Sequence, residues 1–301
     1  VSGTAAPPLV AQASSAAEAA ALRAGVELAE LHEIGELTEA AELFIEVWQT
    51  DRAEAPCTPA LLRALAHSGN YVAGARLQGR MVGASVGFLY PAGDAFGLHS
   101  HITGVTDRVQ ARGIGFALKQ HQRAWALASG LDVVSWTFDP LVRRNAHLNL
   151  VKLGAEIVEY LPNFYGRMPD GINAGDESDR CLVSWPLASE RAVAASHGPV
   201  PEPDLDALRR AGAWVLLEED PAGRPLTGDP GPPGAAAMLV QVPDDIVAIR
   251  GADPELARHW RAALRATMGE ALGRGLAATG ITRSGWYVLE DRSGRDKKGS
   301  R

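Results

Sequence analysis

The sequence predicts an α/β fold in which a mixed sheet is flanked by helices. Short runs rich in β-branched and apolar residues (71–77, 81–90, 98–105, 133–139) alternate with segments of helical period. Between the third and fourth of these runs lies Gln110-Ala111-Arg112-Gly113-Ile114-Gly115, a glycine-rich swing from strand to helix. A continuous helical run then follows it.

In chain order, the Ala-rich residues 1–25 read as a mobile arm, or as a poorly anchored helix at 16–23. They have no basic n-region and no long Leu/Val run, so they are not read as a signal peptide. Residues 27–31 suggest a first strand. Thr38 is placed to cap a helix reaching Gln49, with Ala41, Phe44, Ile45 and Trp48 near one face. Thr58 and Pro59 open a second helix that ends near Gly69. Strands 71–77 and 81–90 turn at Gln78-Gly79-Arg80. In the helix after the glycine turn, Ile114, Leu118 and Trp125 share a face, with Lys119, Gln120 and Arg123 on others. Strand 133–139 leads to a short helix carrying Asn145 and ending at Leu153-Gly154. Strands 156–160 and 180–185 form a last hairpin around a long excursion at 163–179. Residues 188–236 read as a Pro/Gly-rich linker with one strand at 213–217. A strand at 237–242, a helix at 254–278 and a strand at 286–290 make a C-terminal β-α-β extension over 237–290. The charged tail 291–301 reads as disordered.

A net charge of −7 argues against a nucleic-acid or anionic-membrane partner. The two cysteines, Cys57 and Cys181, lie far apart without metal spacing and read as ordinary intracellular thiols. No apolar run reaches the roughly 18–20 residues that span a bilayer. A cytoplasmic protein is the expectation.

A helix that opens at a glycine turn presents unpaired N–H groups and the positive end of its dipole to whatever lies ahead. Phosphate suits that position, and Gly113 and Gly115 leave room for its approach. A P-loop needs Lys-Ser/Thr after its last glycine, where Phe116-Ala117 stands. A dinucleotide turn needs a third small residue and a βαβ start, and both are missing. The pyrophosphate of an acyl-CoA needs the same cradle.

Gln-x-x-Gly-x-Gly between a strand and a helix resembles the acyl-CoA signature of the GNAT superfamily of N-acyltransferases. The run 98–185, with LHSHITGV, WTFDPLVRRNAHLNLVKLGA, NFYG and SDRCLVSW, is similar to a less characterised branch of it. The resemblance implies a GNAT domain at 26–187 that uses acetyl-CoA or another acyl-CoA and no metal. It implies that Gln110, Ala111, Arg112, Gly113, Ile114 and Gly115 hold the pyrophosphate. Backbone groups of Ile102, Thr103, Gly104 and Val105 would hold the thioester, and Asn145 the pantetheine or thiol end. Relatives are often dimers, so a homodimer is expected. In many members a tyrosine four residues before the glycine of a Leu-Gly-Phe pattern assists the leaving sulfur. Here that position is Leu150, so either Tyr165 or Tyr160 supplies the acid, or none is needed, since thiolate is a fair leaving group.

His99 and His101 share a strand face. They read either as a general base and its neighbour or as inert core or subunit-contact residues. Asp139 and Arg143 read as an ion pair or as lining for the acceptor pocket. Asn163, Tyr165, Asp179 and Arg180 flank the loop expected to shape acceptor choice, with Arg180 a partner for a substrate carboxylate. The expected activity is transfer of a short acyl group, acetyl or succinyl, to the primary amine of a small molecule such as an amino acid. The rival reading is a non-catalytic CoA-binding or regulatory module.

Overall fold

The computed structural model describes residues 7–109, 112–166, 176–232 and 234–291. They fall into two compact units, one holding the chain up to Trp136 together with Trp185–Gly198, the other most of what remains.

In the first unit, Pro7–Ala24 is a helix, α1, longer than the poorly anchored helix over 16–23 that was one of the two expectations and in place of the mobile arm that was the other. Its alanines make that possible: Ala13, Ala16, Ala17, Ala20 and Ala24 are all buried, a smooth stripe that lets another helix come close. Strand β1 (Glu27–Glu30) follows, then α2 (Ile34–Trp48) and α3 (Pro59–His67). Helix α2 starts a turn earlier than expected, because Glu36 accepts from the Glu33 N–H across the first turn. Thr38 is not its cap; inside the helix its hydroxyl donates to the Ile34 carbonyl. Thr58 caps α3 as expected, accepting from the Leu61 N–H at 3.2 Å.

Strands β2 (Val72–Leu77), β3 (Arg80–Ala92) and β4 (Ala95–Val105) form an antiparallel meander, with β1 on the edge of β2. Helix α4 (Ile114–Ala128) leads to β5 (Val133–Phe138), which runs parallel to β4. The sheet is therefore mixed, and both of its faces are covered. Phe44, Leu37 and Leu62 from α2 and α3 pack with Val86 and Ile102 on one face. Ala20 and Ala24 of α1 and Ile114, Ala117 and Leu118 of α4 pack with Ala75 and Val82 on the other.

In the second unit, α5 (Arg143–His147) continues as a π turn, Leu148–Lys152. Strands β6 (Glu156–Leu161) and β7 (Arg180–Pro186) form the expected antiparallel hairpin. Residues 188–236 are not the expected linker. They hold α6 (Glu190–His197, in the first unit), α7 (Leu205–Arg210), β8 (Trp214–Glu219) and β9 (Pro225–Thr227). Next come β10 (Met238–Gln241), α8 (Ile246–Ala252) and α9 (Pro254–Leu264), which runs through a π turn at Arg265–Gly269. The helical run stops at Gly273. Leu276–Ile281, placed partly in the helix by the sequence reading, is a strand, β11, and pairs with β12 (Trp286–Asp291). Gly275, at φ +94°, makes the break. The C-terminal segment is thus β-α-β-β, with β11 also pairing with β6 through Ala278 and Ile157.

Candidate functional site

Parallel strands β4 and β5 pair through two residues only, Leu98 with Val134 and His99 with Ser135. Beyond His99 the two strands part. Just there β4 carries a bulge: Val86 faces Ile102 and Gly87 faces Ser100, so His101 is the extra residue. Ile102 to Val105 lie beyond the parting, so their backbone on that side has no β5 partner among the described residues. Gly104 does not leave space for a ligand. A Cβ there would stand 2.7 Å from Trp48, whose indole fills the place. The Thr103 hydroxyl is 2.8 Å from that of Ser85.

Helix α4 opens at Gly113, left-handed at φ +81°, with no side chain capping it and no acidic residue in its first turn. Among the described residues nothing lies within 4 Å of where a Cβ would stand at Gly113 or Gly115. Arg112 is exposed beside them, and Ile114 is buried in the sheet-facing core. An anion at this end meets free N–H groups, a favourable dipole and open space. Gln110 and Ala111 lie outside the described residues.

His99 and His101 both stack near Phe88, at ring-centroid distances of 5.1 and 5.7 Å, and so share a face as expected. Desolvation lowers His99 to about 4, helped by His101 and Lys119, and lowers His101 as well. Both rings are neutral near pH 7 and able to accept a proton.

One buried group of this unit escaped the sequence reading. Lys119 is 5% exposed, and its ammonium donates to Ser100 Oγ at 2.8 Å and Gln122 Oε1 at 3.2 Å. It also stands 3.9 Å over the Trp136 ring. Burial lowers it to about 7. Gln120, Gln122 and Arg123 are buried too, so α4 is covered on both sides. The sequence signal was the absence of Asp and Glu from all fifteen residues of that helix.

The remaining candidates lie in the second unit. Asp139 does not pair with Arg143. Its carboxylate accepts from Arg261 at 2.8 and 2.9 Å and from Arg250, while Arg143 pairs with Asp244. Asp176 takes the same two guanidinium groups, at 3.2 Å to Arg250 and 2.8 Å to Arg261. These arginines hold Asp139 well below the usual carboxylate range despite its burial. Asp139 is therefore part of a buried charge cluster and does not line an open pocket.

Asn145 is exposed on α5, and Leu150 is wholly buried in the π turn. Tyr160 is buried and donates to Asp179 at 2.7 Å, which raises its pKa and removes it as an acid. Tyr165 is 42% exposed, with its hydroxyl 3.1 Å from that of Thr137 at the end of β5. Arg180 lies 5.4 Å from the Tyr165 ring and donates to the Asp179 carbonyl; it is buried, not a surface arginine. Asn163 sits left-handed at φ 45° and donates its N–H to Asp179, the role of a turn residue. Cys57 and Cys181 are free and buried. Among the described residues no group of three or more His, Cys, Asp or Glu is placed to hold a metal. None of their helices is long and apolar enough to cross a membrane.

No family model and no curated protein matches the chain. Among solved structures it is similar to a GNAT-family acetyltransferase from Streptococcus pneumoniae, at 16% identity and TM-score 0.42, covering 53% of this chain and 97% of that one. It is similar to yncA from Salmonella typhimurium, solved with its cofactor acetyl-CoA, at 15% identity and TM-score 0.45, covering 55% and 96%. An aminoglycoside acetyltransferase from an uncultured soil sample matches at 18% and TM-score 0.37, covering 40% and 82%. The chain has a mixed α/β fold in which an antiparallel meander turns parallel at a parted β4–β5 pair and a glycine turn opens the helix between them.

Proposed function

We propose that the protein is an acyl-CoA-dependent N-acyltransferase that moves a short acyl group, acetyl or succinyl, onto the primary amine of a small molecule. The observation that carries this reading is the parting of β4 and β5 after two residues, beside the uncapped start of α4. The first feature leaves strand backbone for a thioester; the second leaves N–H groups for a pyrophosphate. Residues Arg112 to Gly115 hold the phosphates, and the backbone of Ile102 to Val105 polarises the carbonyl, whose oxygen gains charge as the amine attacks. His101, neutral and on the open side of the bulge, takes the proton of the attacking amine, with His99 behind it.

Calorimetric titration with CoA, acetyl-CoA and succinyl-CoA tests the reading, repeated on Gly113→Glu. The variant strains a left-handed position and sets a negative charge where phosphate would lie. Saturable binding lost in Gly113→Glu is the expected result. A folded wild-type protein that binds none of the three overturns the reading. Leu150, which has no proton to give, favours a second one: a module that binds CoA without turning it over. Binding without thiol release from any donor would select it.

A further inference from the structure

The fork between β4 and β5 is not empty at its base. Ser100 and Trp136 are the first residues past the last pair, His99 with Ser135. The Lys119 ammonium touches both, through the Ser100 hydroxyl and the face of the Trp136 ring. It therefore stands between the strands at the point where they separate. Its face of the sheet is opposite to that of His99 and His101, whose rings lie against Phe88.

This charge has no counter-ion. Its partners are a hydroxyl, a carboxamide oxygen and a ring, and no carboxylate among the described residues lies within ion-pair distance. Beside it, Gln122 is fully buried with its Nε2 unpartnered while its Oε1 is taken by Lys119. A charge without a counter-ion thus stands beside a buried donor without an acceptor, an arrangement that costs free energy until something anionic arrives. Burial that brings Lys119 to about 7 also brings it near the range of a thiol.

We propose that Lys119 is the proton donor to the leaving sulfur of the acyl donor, the role that Leu150 cannot fill. The assignment rests on the acyltransferase reading above. As the amine nitrogen bonds to the carbonyl carbon, the C–S bond breaks and its electron pair goes to sulfur. One N–H proton of Lys119 passes to that sulfur, giving the free thiol and a neutral lysine. The attacking amine gives its proton to His101 on the opposite face, and solvent carries it from the imidazolium back to Lys119. Base and acid then stand on the two faces of the same fork.

The test uses the full-length protein, wild type and Lys119→Met, which keeps the side chain's length and removes its charge. Acetyl-CoA affinity is measured by calorimetry, and thiol release with hydroxylamine, a nucleophile that is already neutral at neutral pH. The same release is followed from acetyl-selenocoenzyme A, whose leaving group is far more acidic. The expected result is unchanged affinity, a turnover roughly a hundredfold lower with acetyl-CoA, and convergence of the two proteins on the selenoester. Turnover of Lys119→Met at the wild-type rate, or equal loss on both donors, overturns the assignment and leaves the acyltransferase reading standing. A wild-type protein that binds no CoA overturns both; one that binds but releases no thiol overturns the lysine's role and keeps the binding module. Should Lys119→Met not fold, wild type alone decides. An acid-assisted site turns over thioester and selenoester at similar rates, whereas a strong preference for the selenoester means no acid acts.

Discussion

Gly104 shows how a residue can be chosen by its neighbour. Its hydrogen faces the Trp48 indole at a distance where no Cβ fits. Gly104→Val should therefore destabilise the fold by about 1–3 kcal/mol through overpacking, read as a lowered urea midpoint. A midpoint equal to wild type would mean that Trp48 moves freely aside. Lys119 carries a pH signature. The folded protein releases its proton near 7, while the unfolded chain keeps it to about 10.5. Stability from this group is therefore present above the unfolded pKa and is lost as pH falls through 7. Urea unfolding across that interval should show stability rising with pH in wild type, and a flatter profile in Lys119→Met. Parallel profiles would contradict a buried ammonium.

At the scale of elements, helix starts obey local chemistry. Thr58 is a working N-cap, so Thr58→Ala should cost about 1 kcal/mol, visible in the same unfolding assay. No change would mean that Pro59 alone sets the entry to α3. The core strands and the glycine turn were legible because alternation and Gly113 are local signals. The helix expected to reach Ala278 was over-extended because Leu276-Ala277-Ala278 suits either state, and the partners of β11 on both sides settle it as a strand. Helix α1 was underrated for a related reason: an alanine stripe has little hydrophobic contrast, and only contact with α4 turns it into a core face.

At the scale of a whole unit, charge does what apolar contact does elsewhere. Asp139, near the end of β5, and Asp176, before β7, are bridged by Arg250 of α8 and Arg261 of α9. All four are nearly inaccessible, so removing one partner strands the others without water. Arg261→Met should destabilise this unit by about 3–5 kcal/mol, measured by denaturant unfolding. A loss below 1 kcal/mol would show that water reaches the cluster. Because Asp139 is held below its ordinary range, the stability it contributes is present above about 4 and lost as pH falls further. The C-terminal segment therefore belongs to the second unit by ion pairs that no local pattern announces, since Asp139 and Arg261 stand 122 residues apart.

The sequence by itself determined the fold class, the place of the glycine turn and the pair of histidines on one strand. Each depends on periodicity or on a residue's own backbone freedom, and both are written within a few neighbouring positions. Only the tertiary structure decided that β4 and β5 part after His99, that Tyr160 is consumed by Asp179, and that Lys119 enters the fork. Those outcomes depend on which distant groups share a small volume and on what water is excluded from it. A lysine on a helix reads as solvated until the second layer covers it.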